Sequence, residues 1–265
     1  MKQLPSPLAF SQRVVYFVMR HIMGTITSVD TRDNVAALTF DDGPDPAFTP
    51  RLLDILDKHQ ASATFFVVGE TAQKYPELIR RIAQTGHVIG NHSWDHPAFP
   101  LITGRERRAQ MRACAKAIAP YGQRIFRPPF GCQNTSSRLS VFWLGYQVVT
   151  WNLVAKDWLD HDAEQMVTYL GNKIRPGSIV LFHDSLHDII EERYINREPT
   201  LKAVDMLLEQ LGDRFRFVTI PELLQHGRPR RVNWSYKLDV AFLNSLIKQD
   251  GQPSWRYPSQ AQVTG

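Results

Sequence analysis

Short apolar runs alternate with longer amphipathic stretches from residue 35 onward, and this alternation organises most of the chain. Val35–Phe40, Ala63–Val68, His87–Asn91, Arg124–Arg127, Gln147–Trp151, Ser178–Phe182 and Phe215–Ile220 have the length and composition of strands. Between them, Thr49–His59, Thr71–Thr85, Arg105–Ala119, Ser136–Leu144, Ala163–Ile174 and Pro199–Leu211 have helical character. From Ala72 to Ala83 the period is explicit. Ala72, Tyr75, Leu78, Ile79 and Ile82 fall on one side of a helix, and Gln73, Lys74, Glu77, Arg80 and Arg81 on the other. Such alternation predicts an α/β fold with a parallel sheet and crossover helices, as an open sheet or a closed barrel.

At 265 residues, 43% hydrophobic and 22% charged, the chain can bury a large core as one main domain. The chain is expected to divide into an N-terminal extension (1–34), a main α/β domain (35–226) and a C-terminal tail (227–265). The tail carries Trp234, Tyr236, Trp255 and Tyr257, is expected to pack partly on the outside of that domain, and ends in residues of disordered character. A net charge of +5 is modest, the arginines are scattered, and no basic-aromatic interleaving occurs, so nucleic acid is not expected as a partner. The one basic cluster, His226 to Arg231, reads as a solvated linker.

Cys114 and Cys132 fall in no ligand spacing and read as free thiols, which suits a reducing compartment. No recognisable signal peptide or transmembrane span is found: the best apolar stretch, Val14–Met23, is interrupted by Arg20 and His21. The expectation is a cytoplasmic protein. Val14, Val15, Phe17, Val18, Ile22 and Met23 would form the apolar face of an amphipathic helix, a pattern that caps a core more often than it lies on a membrane.

The candidate chemistry begins with His92 and His96, four residues apart in Gly-Asn-His-Ser-Trp-Asp-His, and with the adjacent carboxylates Asp41 and Asp42 in Thr-Phe-Asp-Asp-Gly-Pro. One helical turn would put both imidazoles on the same face, where a carboxylate completes a three-ligand set that leaves coordination positions open for chemistry. A histidine pair at this spacing is more often metal-free, and Asp-Asp-Gly-Pro by itself is a turn signal.

Further motifs follow in order: Arg127-Pro128-Pro129-Phe130, Trp151 to Asp157-Trp158, and Ile179-Val180-Leu181-Phe182-His183-Asp184. From Val35 to Leu224 the series resembles the polysaccharide deacetylase family, carbohydrate esterases that remove N-acetyl groups from chitin-like and peptidoglycan-like sugars. The resemblance implies an irregular (β/α) barrel of seven or eight strands, with the motifs converging at the C-terminal ends of the strands. It implies one divalent metal, zinc before cobalt, nickel or manganese, held by Asp42, His92 and His96. Asp41 would be the base and Arg127 its orienting partner. His183 would be the acid, tuned by Asp157. Phe130 would supply a backbone donor to the oxyanion, and Trp158 and Leu181 would wall the acyl methyl.

Two positions depart from the family pattern. Phe130 stands where tyrosine is usual, and Val154 where an earlier aspartate is frequent. The expected activity is metal-dependent N-deacetylation of an N-acetylated amino-sugar glycan. The alternatives are a cytoplasmic deacylase of a lipid-linked or small biosynthetic glycoside, an O-acetyl esterase, or an inactive glycan-binding barrel.

Overall fold

The computed structural model describes residues 22–159, 162–235 and 240–248. Strands β1 (Thr25–Asp30), β2 (Val35–Asp41), β3 (Ala63–Val67), β4 (Val88–Asn91), β5 (Gly122–Phe126), β6 (Gln147–Val148), β7 (Leu153–Val154), β8 (Ile179–His183), β9 (Asp188–Ile189), β10 (Arg216–Phe217), β11 (Arg228–Val232) and β12 (Ile247–Lys248) run in chain order. Seven of them form a curled parallel sheet in the order β6-β5-β4-β3-β2-β8-β7, and β10 joins in parallel beside the start of β2. Helices cover its convex face, giving an irregular β/α barrel.

The two-residue period of β2 explains why one strand serves both core and site. Ala36, Leu38 and Phe40 point outward into the layer under the helices, where Phe40 stacks between Phe65 (5.2 Å) and Phe182 (5.8 Å). Val35 and Ala37 point inward to an apolar plug with Phe66, Ile125, Val149 and Ile179. The next inward positions are Thr39 and Asp41, so the barrel interior changes from apolar to polar toward the C-terminal strand ends. All seven β2 residues are buried, as expected of a central parallel strand covered on both faces.

β1 pairs antiparallel with β11 and touches both sides of the seam of the curled sheet, through Ile26↔Val149 and Ser28↔Ser178. Ile26 and Val29 are buried in the plug. The segments assigned from the sequence to an extension and a tail therefore meet each other in a ribbon across the open edge.

Other differences are local. The helix expected over Thr71–Thr85 is two helices, Gly69–Lys74 and Pro76–Gln84, because Pro76 cannot continue the first and holds Tyr75 out of helical geometry (φ −128°, ψ 60°). Tyr236, Trp255 and Tyr257 lie outside the described residues, as does most of the Val14–Met23 face. Trp234 and the helix Val240–Ser245 sit at the mouth of the barrel cavity. Cys114 and Cys132 are both buried. Among the described residues no helix is long and apolar enough to cross a membrane.

Candidate active site

A cavity of about 490 Å³ opens at the C-terminal strand ends. Asp41, Asp42, His92, His96, Phe130, Trp158, Leu181 and His183 all line it. Arg127 and Asp157 stand directly behind Asp41 and His183. The structure thus brings together every candidate site residue read from the sequence.

Successive strand residues face opposite ways, so Asp41 and Asp42 could not share a site if β2 simply continued. At Asp42 the backbone enters the left-handed region (φ 75°), which turns its carboxylate to the side of Asp41. Asp42 Oδ1 then lies 3.3 Å from His92 Nε2 and 3.3 Å from His96 Nε2, while Asp41 Oδ2 is 3.8 Å from His92 Nε2. The N–H of His187 donates to Asp42 Oδ2 (3.0 Å). Gly43 follows because a Cβ there would come within 2.1 Å of the Asp184 carboxylate.

The two histidines do not share a helix, contrary to the expectation from their spacing. They sit in the loop after β4, where Ser93 (φ 71°) and His96 (φ 60°) adopt left-handed conformations that curl the chain back on itself. Asn91 holds this curl, its Oδ1 accepting from the Ser93 N–H (2.9 Å) and its Nδ2 donating to the Met111 carbonyl (2.8 Å). The N–H groups of Trp94 and Asp95 donate to Gln110 Oε1. A spacing of four residues fits a helical turn and a tight loop equally, and side-chain anchors far away in sequence select the loop.

Both imidazoles have Nδ1 engaged. His92 Nδ1 donates to the Arg127 carbonyl (2.7 Å) and His96 Nδ1 to Asp188 Oδ2 (2.7 Å), which leaves the two Nε2 atoms directed at Asp42. One ligand atom from each of Asp42, His92 and His96 lies within 4.8 Å of the others, and all three residues are buried. Neutral nitrogens with their second ring atom anchored, plus one carboxylate, are the donor chemistry of a divalent metal site. Burial alone would lower the pKa of His96, but Asp42 and Asp188 outweigh it and raise it. Burial would raise Asp42, but the neighbouring His96 and His92 pull it well below the carboxylate range. The field that draws a proton here also favours a cation.

Arg127 is fully buried. Its Nη1 donates to Asp41 Oδ1 (2.7 Å) and Thr39 Oγ1 (2.8 Å), its Nη2 to the Thr150 carbonyl (2.9 Å) and its Nε to the Val149 carbonyl (3.2 Å). The guanidinium carbon lies 4.1 Å from the Phe66 ring centroid. Every substituent of the fork is occupied, so Asp41 is held in one orientation.

Across the cavity, His183 ends β8 with Nδ1 2.9 Å from Asp157 Oδ1, and its backbone N–H donates to Asp157 Oδ2 (2.8 Å). Burial opposes protonation, but the Asp157 charge and hydrogen bond raise the His183 pKa to about 8. The Trp158 ring meets His183 edge-on at 5.2 Å. Phe130, in the left-handed region (φ 57°) after two prolines, sets its ring 4.5 Å from His96.

Several supporting residues escaped the sequence reading. Asp188 anchors His96. Arg197, 2% exposed, donates to the Asp157 carbonyl (2.9 Å), and Thr200 Oγ1 donates to Asp157 Oδ2 (3.3 Å). Asp188, Arg197 and Thr200 act through partners distant in the chain and lie in no local pattern. Only the proximity of Asp188 to the His183-Asp184 motif could have raised attention.

Comparison with known proteins agrees with this arrangement. A family model described as polysaccharide deacetylase matches residues 28–149. A peptidoglycan-N-acetylglucosamine deacetylase of Bacillus cereus is 35% identical over 200 residues, covering 74% of this chain and 70% of that protein. A chitooligosaccharide deacetylase of Azorhizobium caulinodans is 35% identical over 167 residues, covering 62% of this chain and 80% of the relative. A crystal structure of a peptidoglycan N-acetylglucosamine deacetylase superposes with a TM-score of 0.71 at 31% identity, covering 83% of this chain and 99% of the other.

Proposed function

We propose that this chain, which belongs to the polysaccharide deacetylase family, hydrolyses the N-acetyl amide of an amino-sugar glycan and depends on a divalent metal, with zinc the first candidate. The observation that carries the reading is the opposition of two buried pairs, Asp41–Arg127 and His183–Asp157, across Asp42, His92 and His96. Its relatives named for peptidoglycan and chitooligosaccharide deacetylation support the substrate class.

Amide hydrolysis needs a stronger nucleophile than water, a more electrophilic carbonyl and a proton for the leaving amine. Asp42, His92 and His96 would hold the ion, whose chemistry when bound is Lewis acidity toward water and the acetyl carbonyl. Asp41, fixed at Oδ1 by Arg127, takes the proton of the attacking water through Oδ2. The backbone N–H of Phe130 is assigned to the developing oxyanion, a role indifferent to the missing tyrosine hydroxyl. His183, protonated through Asp157, delivers a proton to the nitrogen as the C–N bond breaks, releasing acetate and the free amine. Leu181 and Trp158, beside His183, wall a small acyl methyl.

All of these groups are present together, which argues against an inactive binding barrel. The ribbon of residues 25–30 and 228–232 is taken as part of the catalytic barrel. The test is a mass-spectrometric screen of metal-loaded protein against N-acetylated oligosaccharides, peptidoglycan fragments and acetylated xylan. Loss of one acetyl group per acted-on sugar from the first two supports the reading. Turnover of xylan acetate alone moves the assignment to ester hydrolysis.

A further inference from the structure

The cavity lining has two groups of apolar residues, and the chemistry proposed above uses one. The first is Trp158 and Leu181 beside His183. The second lies on the His96 side, where the C-terminal helix Val240–Ser245 packs Val240 and Leu243, with Leu246, onto Ala98, Leu101 and Phe130. β12, which follows this helix, pairs antiparallel with β9, and β9 also carries the Asp188 that anchors His96. The wall is therefore tied to the ligand set itself. Its cavity surface is Phe130, Ile189, Ile190, Phe242 and Leu246. Phe242 and Ile190 each remain 39% exposed, so their apolar surface is left to water at this edge.

A second sugar unit resting here would meet few partners for its hydroxyls. Apart from the aspartates, histidines and indoles, Lys156 and Tyr194 alone carry polar ends among the described lining residues. A hydrocarbon needs no such partners and covers the exposed edge. We propose that this site is built for an N-acetylated amino-sugar glycoside with a hydrocarbon aglycone, which lies along the Phe130, Ile189, Ile190, Phe242 and Leu246 wall while the acetamide faces His183. The inference rests on the deacetylase reading of the site.

The test compares kcat/KM for octyl and methyl N-acetyl-β-glucosaminide and for an N-acetylated chitotetraose, below the micelle concentration, by acetate release from metal-loaded protein. The octyl glycoside is expected to be preferred over methyl by about tenfold or more, mostly in KM, with the preference reduced in Phe242→Ser and Ile190→Ser. Equal turnover of the two glycosides, or preference for the tetraose, overturns the apolar subsite and leaves the deacetylase reading standing. Absence of acetate from all three overturns the deacetylase reading instead. In that event, tryptophan fluorescence titration with octyl β-glucoside, which has no acetamide, still judges the subsite. Saturable binding weakened by Phe242→Ser supports it, and no saturable binding overturns it.

Discussion

Asp157 grips His183 at two points: Oδ1 faces the ring Nδ1 at 2.9 Å while Oδ2 accepts the backbone N–H of the same residue at 2.8 Å. The carboxylate thereby fixes the position and the charge of one imidazole. Burial works against that charge, and Asp157 reverses it, raising the pKa to about 8. For amide substrates, kcat/KM should fall on the basic side near this value. Asp157→Asn should move the limb downward, because an amide no longer favours the imidazolium. A limb unmoved in Asp157→Asn assigns the titration to another group.

His183 also separates amide from ester hydrolysis. An amine cannot leave without a proton, whereas an activated alkoxide can. His183→Ala should therefore lower N-deacetylation by on the order of 10²–10⁴-fold and acetate-ester hydrolysis much less. Equal losses on the two substrates would remove His183 as the acid.

Asp41→Asn should retain bound metal, measured by elemental analysis, while losing on the order of 10²–10⁴-fold in rate, since the amide cannot accept the proton. Arg127→Ala should lose the same step and also destabilise the fold by about 3–5 kcal/mol, because it strands a buried carboxylate. Rate losses should be far from additive in the double variant. Thermal unfolding and single-variant kinetics distinguish the two contributions. Additive losses would mean that the pair does not act as a unit.

His92→Ala and His96→Ala should each lose metal and activity together. His92→Ala leaves the Arg127 carbonyl without its donor, which should cost about 1–3 kcal/mol of stability. Equilibrium dialysis with zinc reads metal retention independently of turnover. Full retention in both variants would remove the pair from the metal site.

Asp184 carries a stability signature. Burial raises its pKa to about 7, against the hydrogen bond from Thr49. The folded state thus holds a proton that the unfolded chain releases near 4, and this contribution to stability is lost as pH rises through about 7. His183 has the same sign, fully contributing below its ordinary 6.5 and fading through about 8. Asp184→Asn should flatten the dependence of Tm on pH between about 4 and 7, leaving the His183 portion above it. An unchanged profile would exclude Asp184 as the source.

The strands and most helices were legible because their own residues mark them, as the apolar run of β2 and the amphipathic stretch Pro199–Leu211 do. The order of the motifs indicated the family, and strand-end placement indicated that they would meet. Local pattern went wrong where a long-range anchor or a proline decided: Pro76 split one helix, and Asn91 and Gln110 curled the His92–His96 segment into a loop. It could not reveal Asp188, Arg197 or the apolar wall of Phe242 and Leu246, since their roles come from partners brought close only by folding. The sequence by itself determined which chemical groups this protein has and the sheet that presents them. Their orientation, the shared side of Asp41 and Asp42, and what the cavity mouth is made of were decided only by the tertiary structure, because a side chain's direction and surroundings depend on backbone turns and contacts that no local period encodes.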